Sequence, residues 1–334
     1  MRIFITGATG FVGANLVRFS TEMGHDVIAS GRSHYPPALL KKYAAYVQWD
    51  VGAGVCPIKA DMAVHVAGLA SDGCKWEEYV AANIAGTRYF MQAAAGCEKV
   101  VVISSSSVYH FENSAARESD PIDPDRLPLY GKSKYGAEKE VARLYQEGQQ
   151  VMIIRPRAIY GVGDRVLLPK LLRLEKGGMI ISPVKKGVKT PLTHVSNIQE
   201  AISLFLQLQL PAEIYCLNIA DEPEYLLETV LNDLFYVYYG KKLAVLPVSP
   251  LLLQPIMLIN KHFDINKTLT PMMWNIITKD AVIDISKAKK ILNYRPITDF
   301  RTSVPEVVSW LRRFGNKTRF LKILHDAPRS HIES

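Results

Sequence analysis

Cysteine is scarce in this chain, with four among 334 residues. They are Cys56, Cys74, Cys97 and Cys216. No two of them form a C-x-x-C pair, and none lies near a histidine at the spacing of metal ligands. This pattern argues against a disulfide framework and against a metal centre. It predicts reduced thiols in a cytoplasmic protein.

Long uninterrupted apolar runs are also missing. The longest apolar stretch, Leu243–Ile259, contains Pro247, Pro250 and Pro255 and is shorter than the roughly 20 residues that a membrane helix needs. The sequence therefore predicts no membrane span. We interpret this stretch as part of a substrate pocket or a core, and the sequence leaves open whether it touches a membrane surface.

The sequence also lacks a concentrated cluster of basic residues. The formal net charge is +8, but the cationic residues are dispersed in short pairs such as Lys185-Lys186, with no basic stripe interleaved with aromatics. A solvated basic surface is the interpretation that fits, and nucleic-acid binding is not predicted. The expected partner is a small-molecule substrate, and the sequence leaves a homodimer open.

Short β-branched runs alternate with amphipathic helical patterns over the first 160 residues. This alternation predicts an α/β fold with a doubly wound parallel sheet of the Rossmann type. The predicted strands are Arg2–Thr6, Asp26–Ser30, Tyr46–Trp49, Met62–Val66, Lys99–Ser104 and Gln150–Arg155. The predicted helices between them include Gly10–Met23 and Ala82–Ala95.

The regular alternation of strand and helix patterns ends after Tyr160-Gly161. The later pattern predicts one more strand over Glu213–Ile219 and a series of helices with irregular links. The predicted helices are Leu167–Lys176, Asn197–Leu208, Tyr225–Tyr239, Pro271–Ile276, Ser286–Leu292 and Val304–Arg313. We expect a dinucleotide-binding domain over 1–165 that also receives 190–220. The remainder, 166–189 and 221–334, is expected to form a smaller, mostly helical substrate-binding cap.

The segment Thr6–Gly13 follows an apolar strand and opens an apolar helix. Gly7, Gly10 and Gly13 let the backbone turn sharply and come close to a pyrophosphate, which the helix N-terminus attracts with free N–H groups. We therefore assign these glycines, together with Phe11 and Val12, to cofactor binding.

The second strand ends at Ser30-Gly31-Arg32, without the acid that would bind a free ribose 2′-hydroxyl. A guanidinium at Arg32 suits a 2′-phosphate, so the sequence favours NADP(H) over NAD(H). The alternative is that Arg32 stacks on the adenine and accepts either cofactor. Asp50, which we assign to the adenine amino group, has a turn cap as its alternative role. We assign Val51 and Ala67 to the cofactor as well; Ala67 is one of the small residues that end the fourth strand.

The fifth strand runs into Ser104–Ser107, and a helix predicted to begin near Leu129 carries Tyr130 and Lys134 four residues apart on one face. A nearby ammonium stabilises a phenolate, which makes the tyrosine an effective acid and base. A serine hydroxyl, Ser105, would hold the substrate oxygen. Tyr135 and Lys139 repeat the same spacing, but five residues rotate a helix by about 140°, so both tyrosines cannot face one cofactor.

With these motifs in order, the chain resembles the extended short-chain dehydrogenase/reductase superfamily of the epimerase/dehydratase type. The segments that carry the resemblance are Thr6–Gly13, Asp61–Gly68, Asn83–Thr87, Ser104–Tyr109, Tyr130–Lys134 and Arg155–Gly161. The resemblance implies that Ser105 is the catalytic serine, Tyr130 the acid/base and Lys134 its partner, with Pro156 beside the nicotinamide.

Three further segments resemble the 3β-hydroxysteroid dehydrogenase-like branch, which includes sterol-type dehydrogenases and bacterial 3-keto reductases. These segments are Tyr160–Arg165, Leu192–Asn197 and Asp284–Lys289. Two residues depart from the family pattern, His110 and Asn293, each standing where a glycine is usual.

The resulting hypothesis is an oxidoreductase that interconverts a secondary alcohol and a ketone on a hydrophobic, sterol-like or acyl substrate. The alternative enzyme is a nucleotide-sugar epimerase or dehydratase, whose members usually carry Arg-Asp-Phe/Tyr where this chain has Pro191–His194. The non-enzyme alternative is a cofactor-sensing regulator, although such proteins tend to lose one of the three catalytic residues.

Overall fold

The computed structural model describes residues 1–71, 73–111, 115–182, 187–222, 224–248 and 280–326. Within these ranges, one parallel sheet contains seven strands: β1 Arg2–Thr6, β2 Asp26–Gly31, β3 Ala45–Gln48, β4 Met62–His65, β5 Lys99–Ile103, β6 Gln150–Pro156 and β11 Ile214–Ile219. Their order across the sheet is β11-β6-β5-β4-β1-β2-β3. This is the predicted Rossmann-type sheet, including the late strand that returns to it.

Helices cover both faces of this sheet. They are α1 Phe11–Glu22, α2 Ala38–Tyr43, α3 Trp76–Tyr79, α4 Gly86–Ala93, α5 Leu129–Leu144 and α7 Val195–Gln207. A π-helical segment, Val80–Ala85, joins α3 to α4, and 3₁₀ turns occupy Ser106–Val108 and Pro124–Arg126. The central strands β4, β5 and β6 are buried along their whole length, as expected for a parallel sheet with two covered faces.

The second half of the chain has its own apolar core around Leu172, Leu234 and Trp310. It is built from α6 Leu167–Leu172, α8 Leu227–Tyr239, α10 Phe300–Arg312 and α11 Lys317–Asp326. Two small sheets accompany these helices: β7 Ile159–Tyr160 with β10 Thr193–His194, and β8 Glu175–Lys176 with β9 Met179–Ser182 and β12 Ala244–Pro247.

The helix α9, Ser286–Leu292, packs against the main sheet through Ala288 and Leu292. It ends at Asn293, whose φ of 53° is left-handed. Asparagine tolerates this conformation better than other non-glycine residues, which explains how it replaces the family's glycine.

One predicted helix extends too far. The helix predicted over Leu167–Lys176 ends at Leu172, and Glu175–Lys176 is a strand. Gly177 and Gly178 both have positive φ and turn the chain back into β9. The glycine pair was a hairpin signal that outweighs the helical pattern.

The helix predicted over Pro271–Ile276 lies outside the described residues. Of the apolar stretch Leu243–Ile259, the strand β12 is described and is exposed, whereas residues 249–259 lie outside the described ranges. In the part of the chain that is described, no helix is both long and apolar enough to cross a membrane.

Candidate active site

The glycine turn lies between β1 and α1 and leaves no room for side chains. Gly7 has a φ of 65°, and a Cβ there would lie 2.6 Å from the Ala67 nitrogen. A Cβ on Gly13 would lie 2.2 Å from the Gly7 carbonyl oxygen. Gly10 precedes α1 and donates its N–H to Gly7 at 2.9 Å. The turn thus presents bare backbone and a helix N-terminus, the arrangement that binds phosphates.

Thr6 ties this turn to the end of β4. Its buried Oγ1 accepts the N–H groups of Val66 and Ala67 at 3.1 and 3.2 Å and lies 2.9 Å from His65 Nδ1. Burial, and then the positive charge of Lys134, lower the pKa of His65 to about 3. A neutral His65 and Thr6 therefore hold two strand ends in register at the edge where a dinucleotide would lie.

The end of β2 is shaped by Tyr46. Its hydroxyl donates to the Ser33 carbonyl at 2.8 Å and would lie 3.1 Å from a Cβ on Gly31. Thr9 is equally close to that position, so a side chain at 31 would require Thr9 or Tyr46 to move by a few tenths of an ångström. Arg32 is exposed, and within the described ranges its guanidinium has no hydrogen bond or ion pair. Arg32 is therefore available to a phosphate at this edge.

Asp50 and Val51, which follow Trp49 beyond the end of β3, have different surroundings. Asp50 is exposed, and its Oδ1 accepts the Gly52 N–H at 3.0 Å, which is the turn-capping role left open by the sequence. Val51 is buried, and its Cγ2 would lie 3.1 Å from a Cβ on Gly86. The Val51 side chain therefore supports α4, and its assignment to the cofactor stays a prediction.

Four consecutive serines, Ser104–Ser107, follow β5 in different environments. Ser104 is buried and donates to Glu138 at 2.5 Å, and Ser106 is buried as well. Ser105 is only partly buried; its Oγ accepts the Ser107 N–H and donates to the Ser107 hydroxyl, both at 3.1 Å. Ser105 and Ser107 are therefore the two partly exposed serines of this run, and their hydroxyls are hydrogen-bonded to each other.

The helix α5 carries the predicted tyrosine and lysine. Lys134 is buried, and its Nζ donates to the Ile103 carbonyl at the end of β5 at 2.6 Å. Burial lowers the pKa of Lys134 to about 8, against the opposing effect of Glu138. Tyr130 is partly buried, and its ring centroid lies 6.2 Å from that of Tyr79.

The competing tyrosine–lysine pair faces elsewhere. Lys139 is exposed, and its Nζ lies 4.8 Å from the centre of the Tyr135 ring. Lys134 therefore points to the sheet edge, and Lys139 points to solvent, as the predicted helical phase requires.

Close backbone contacts bring these elements together. A Cβ on Gly131 would lie 2.2 Å from the Ser107 carbonyl, so α5 rests directly on the turn that follows Ser105. A Cβ on Gly68 would lie 3.0 Å from Asn83 Oδ1 and 3.8 Å from Lys134 Nζ. The glycine turn, the end of β4 and the Ser105–Lys134 region thus form one continuous edge.

Asn83, in the π-helical segment, anchors α5 to the loop after β4. Its amide accepts the Leu69 N–H at 2.7 Å and donates to the Leu69 carbonyl and, at 2.8 Å, to Ser133 Oγ. Ser133 in turn donates to the Tyr130 carbonyl at 2.7 Å. The sequence marked Asn83 only as part of a family motif, and its spacing gave no signal for this role.

A buried ion pair between Arg155 and Glu138 lies next to the Ser105–Lys134 region. Arg155, on β6, donates to both oxygens of Glu138 at 2.9 and 2.6 Å and to the Tyr109 hydroxyl at 2.8 Å. Glu138 also accepts from Ser104, so the pair links α5, β5 and β6. Sequence reasoning assigned no role to Glu138, although its position four residues after Lys134 places both on one helix face.

Pro156 ends β6 and is buried, paired with Ile219 of β11. Beyond it, Gly161 has a φ of 143°, and a Cβ there would lie 3.2 Å from His194 Nε2 and 3.5 Å from the Phe11 ring. Phe11 therefore connects the glycine turn to the segment after β6. Arg32 and Asp50 lie at the opposite end of the sheet from Pro156, as the length of a dinucleotide requires.

Comparison with known proteins identifies the family. The profile described as "NAD dependent epimerase/dehydratase family" matches residues 3–218. A 3-beta-hydroxysteroid dehydrogenase of Mycolicibacterium neoaurum is 27% identical, with 92% of this chain and 91% of that protein covered. A 2-alkyl-3-oxoalkanoate reductase of Stenotrophomonas maltophilia (strain K279a) is 28% identical over 63% of this chain and 66% of that protein.

Among solved structures, MoeE5 in complex with UDP-glucuronic acid and NAD superposes with a TM-score of 0.73 at 22% identity. The superposition covers 94% of this chain and 99% of that one, which shows a shared fold. Together with the profile match, the parallel sheet and the glycine turn, these findings show that the chain belongs to the NAD dependent epimerase/dehydratase family of extended short-chain dehydrogenases/reductases.

Proposed function

We propose that this protein is a nicotinamide-dependent oxidoreductase that interconverts a secondary alcohol and a ketone, with Ser105, Tyr130 and Lys134 as its reacting groups. The observation that carries the proposal is their placement at one sheet edge. Lys134 is held by the Ile103 carbonyl, and Gly131 packs α5 against the turn after Ser105. A lysine on the same helix face as a tyrosine stabilises the phenolate with its positive charge, which makes the tyrosine an effective acid and base.

The roles follow from the side chains. In the direction of reduction, the Ser105 hydroxyl donates a hydrogen bond to the ketone oxygen and polarises the carbonyl. Tyr130 then donates its proton to that oxygen, and the Lys134 ammonium stabilises the resulting phenolate. With a pKa of about 8, Lys134 is mostly charged at neutral pH. The bound nicotinamide supplies or accepts the hydride.

The cofactor site fits a dinucleotide. The bare Gly7–Gly13 turn would hold the pyrophosphate, because every Cβ added at Gly7 or Gly13 collides with backbone. The residues expected near the ribose support NADP(H) as the preferred form. Thr9 and Tyr46 lie close to Gly31, and the Arg32 guanidinium has no partner among the residues that the structure describes.

A hydrophobic ketone or alcohol is the substrate class that we propose. The relatives with 3-beta-hydroxysteroid dehydrogenase and 2-alkyl-3-oxoalkanoate reductase names act on such compounds, and this chain has Pro191–His194 in place of the Arg-Asp motif of sugar enzymes. We propose an organisation in which the segments 166–189 and 221–334 contribute most of the substrate cap.

The test is direct turnover. Purified protein is mixed with NADPH or NADH and a panel of hydrophobic 3-keto compounds, and the nicotinamide absorbance is followed. We expect oxidation of NADPH with at least one apolar ketone. Tight binding of a nucleotide diphosphate sugar, together with no reaction of any apolar ketone, would instead establish the epimerase or dehydratase alternative.

A further inference from the structure

Ser105 and Ser107 form a hydrogen-bonded pair in the turn that follows β5. The turn begins at Ser105, whose backbone is extended, and continues as the 3₁₀ segment Ser106–Val108. The Ser105 Oγ accepts the Ser107 N–H at 3.1 Å, and the two hydroxyl oxygens lie 3.1 Å apart. Both side chains are partly exposed, whereas Ser106, between them, is buried. The serine that we propose to hold the substrate oxygen thus shares a hydrogen bond with a second hydroxyl, to which the proposed function gives no role.

The Ser105 hydroxyl has one proton to donate and two lone pairs that accept. In the structure, Ser105 donates that proton to Ser107 Oγ, so the proton is not available to a ketone oxygen. A hydroxyl hydrogen rotates readily, and the separation of the two oxygens suits donation in the opposite direction equally well. Once Ser107 donates, its N–H and O–H fill both lone pairs of Ser105, and the Ser105 proton is left for a substrate.

The backbone of Ser107 is held on two sides. A Cβ on Gly131 would lie 2.2 Å from the Ser107 carbonyl oxygen, so α5 packs directly on this residue. Val108, the next residue of the turn, is fully buried in an apolar cluster. Because α5 and this cluster fix the turn, Ser107 keeps its N–H and its hydroxyl at a constant distance from Ser105 Oγ.

The hydroxyls of Ser107 and Ser106 differ in what they contact. Among the residues that the structure describes, Ser105 is the hydrogen-bond partner of the Ser107 hydroxyl. The Ser106 hydroxyl is buried and has no hydrogen-bond partner within the same residues. The contact that the Ser107 hydroxyl makes is thus with a proposed reacting group, whereas Ser106 offers a neighbouring hydroxyl without such a contact.

We propose that Ser107 is a positioning residue that acts through Ser105, a role that rests on the proposed function. When a ketone binds, the Ser107 hydroxyl donates to Ser105 Oγ, and the Ser105 proton turns to the ketone oxygen. A hydroxyl that accepts two hydrogen bonds is also a stronger donor, because hydrogen bonds in a chain polarise one another. The stabilisation grows as negative charge develops on the ketone oxygen in the transition state, so the effect falls on kcat more than on KM.

The first test compares Ser107→Ala with a control from the same turn, Ser106→Ala. Both are assayed for kcat and KM with NADPH and the ketone of the panel that has the highest kcat, and for the Kd of NADPH and Tm. We expect kcat to fall about 3- to 10-fold in Ser107→Ala, with the other three quantities near wild type, and to stay unchanged in Ser106→Ala. Ser107→Thr keeps the hydroxyl and should retain a kcat near that of wild type. A wild-type kcat in Ser107→Ala, or a lower Tm with equal losses of kcat in Ser107→Ala and Ser107→Thr, would overturn the proposal.

A double-mutant cycle separates an effect through Ser105 from a direct contact between Ser107 and the substrate. Ser105→Ala alone should lower kcat by about 100-fold, as expected for the loss of a donor to the reacting oxygen. The double variant Ser105→Ala/Ser107→Ala should be no slower than Ser105→Ala, because the hydroxyl that Ser107 polarises is already gone. A further loss equal to that of Ser107→Ala alone would overturn the proposal, since Ser107 would then act independently of Ser105.

The same variants distinguish an error about Ser107 from an error in the proposed function. If Ser105→Ala loses turnover and Ser107→Ala does not, the positioning role of Ser107 is wrong and the proposed reacting groups stand. If Ser105→Ala keeps the kcat of wild type, Ser105 is not the serine that holds the substrate oxygen, and both roles are wrong. A wild-type enzyme that converts no ketone of the panel with either cofactor overturns the proposed function, and the positioning role of Ser107 with it.

Discussion

Gly131 sets the distance between the helix that carries Tyr130 and the turn that carries Ser105, and Gly131→Ala tests this arrangement. The added Cβ would lie 2.2 Å from the Ser107 carbonyl oxygen and 3.0 Å from its carbon. An ordinary contact between such atoms is about 3.5 Å, so α5 and the turn must separate by about 1 Å. A displacement of that size between reacting groups lowers kcat by about 100-fold, and the strain lowers the free energy of unfolding by about 1–3 kcal/mol.

Gly136→Ala, on the same helix, is the matched control. Its Cβ would meet only Ile84, at 2.7 Å from Cδ1, the far end of a flexible side chain. The assay measures kcat with the best ketone of the panel and the Kd of NADPH for both variants and wild type. We expect Gly136→Ala to keep a kcat near that of wild type. A Gly131→Ala enzyme with wild-type kcat would refute the reasoning that this contact positions the site.

Three further substitutions test separate parts of the account. Arg32→Ala should weaken NADPH binding by about 10- to 100-fold in a cofactor titration and leave NADH binding nearly unchanged, whereas equal losses would contradict the 2′-phosphate assignment. The pKa of Lys134 is about 8 in the folded protein, against an ordinary value of 10.5. Between pH 8 and 10.5 the unfolded state therefore binds more protons than the folded state, and the free energy of unfolding rises with pH. Lys134→Met should remove that rise, as measured by denaturant titrations across this pH range. Lys99 donates to three carbonyls at the end of α7 at 2.7–3.0 Å, so Lys99→Met should lower Tm and leave kcat unchanged; a reduced kcat at unchanged Tm would contradict a structural role.

The architecture was predictable because its signals are local. Buried β-branched strands such as Lys99–Ile103 alternate with amphipathic helices, and the glycine turn stands at the first strand–helix junction. The fold class and the family were confirmed on these signals. The helix predicted to reach Lys176 was wrong at its end because the following glycine pair forms a hairpin, which the helical periodicity hides.

The site was predictable in part. The roles of Ser105, Tyr130 and Lys134, expected from their order and spacing, stay predictions, whereas the burial of Lys134 agrees with the helical phase expected from sequence. The contacts that position them were not predictable, because they join residues far apart in the chain with no local signature. Gly131 touches a carbonyl more than 20 residues away, and Arg155 meets Glu138 across two elements.

The most direct test of the central claim compares Tyr130→Phe with Tyr135→Phe, in kcat with an apolar ketone and in the Kd of NADPH. The first substitution removes the hydroxyl that we propose as the proton donor, whereas the second alters a ring that packs beside the exposed Lys139. The account predicts that Tyr130→Phe loses turnover with nearly unchanged NADPH binding and that Tyr135→Phe has a mild effect. Loss of turnover in Tyr135→Phe, with activity retained in Tyr130→Phe, would contradict it.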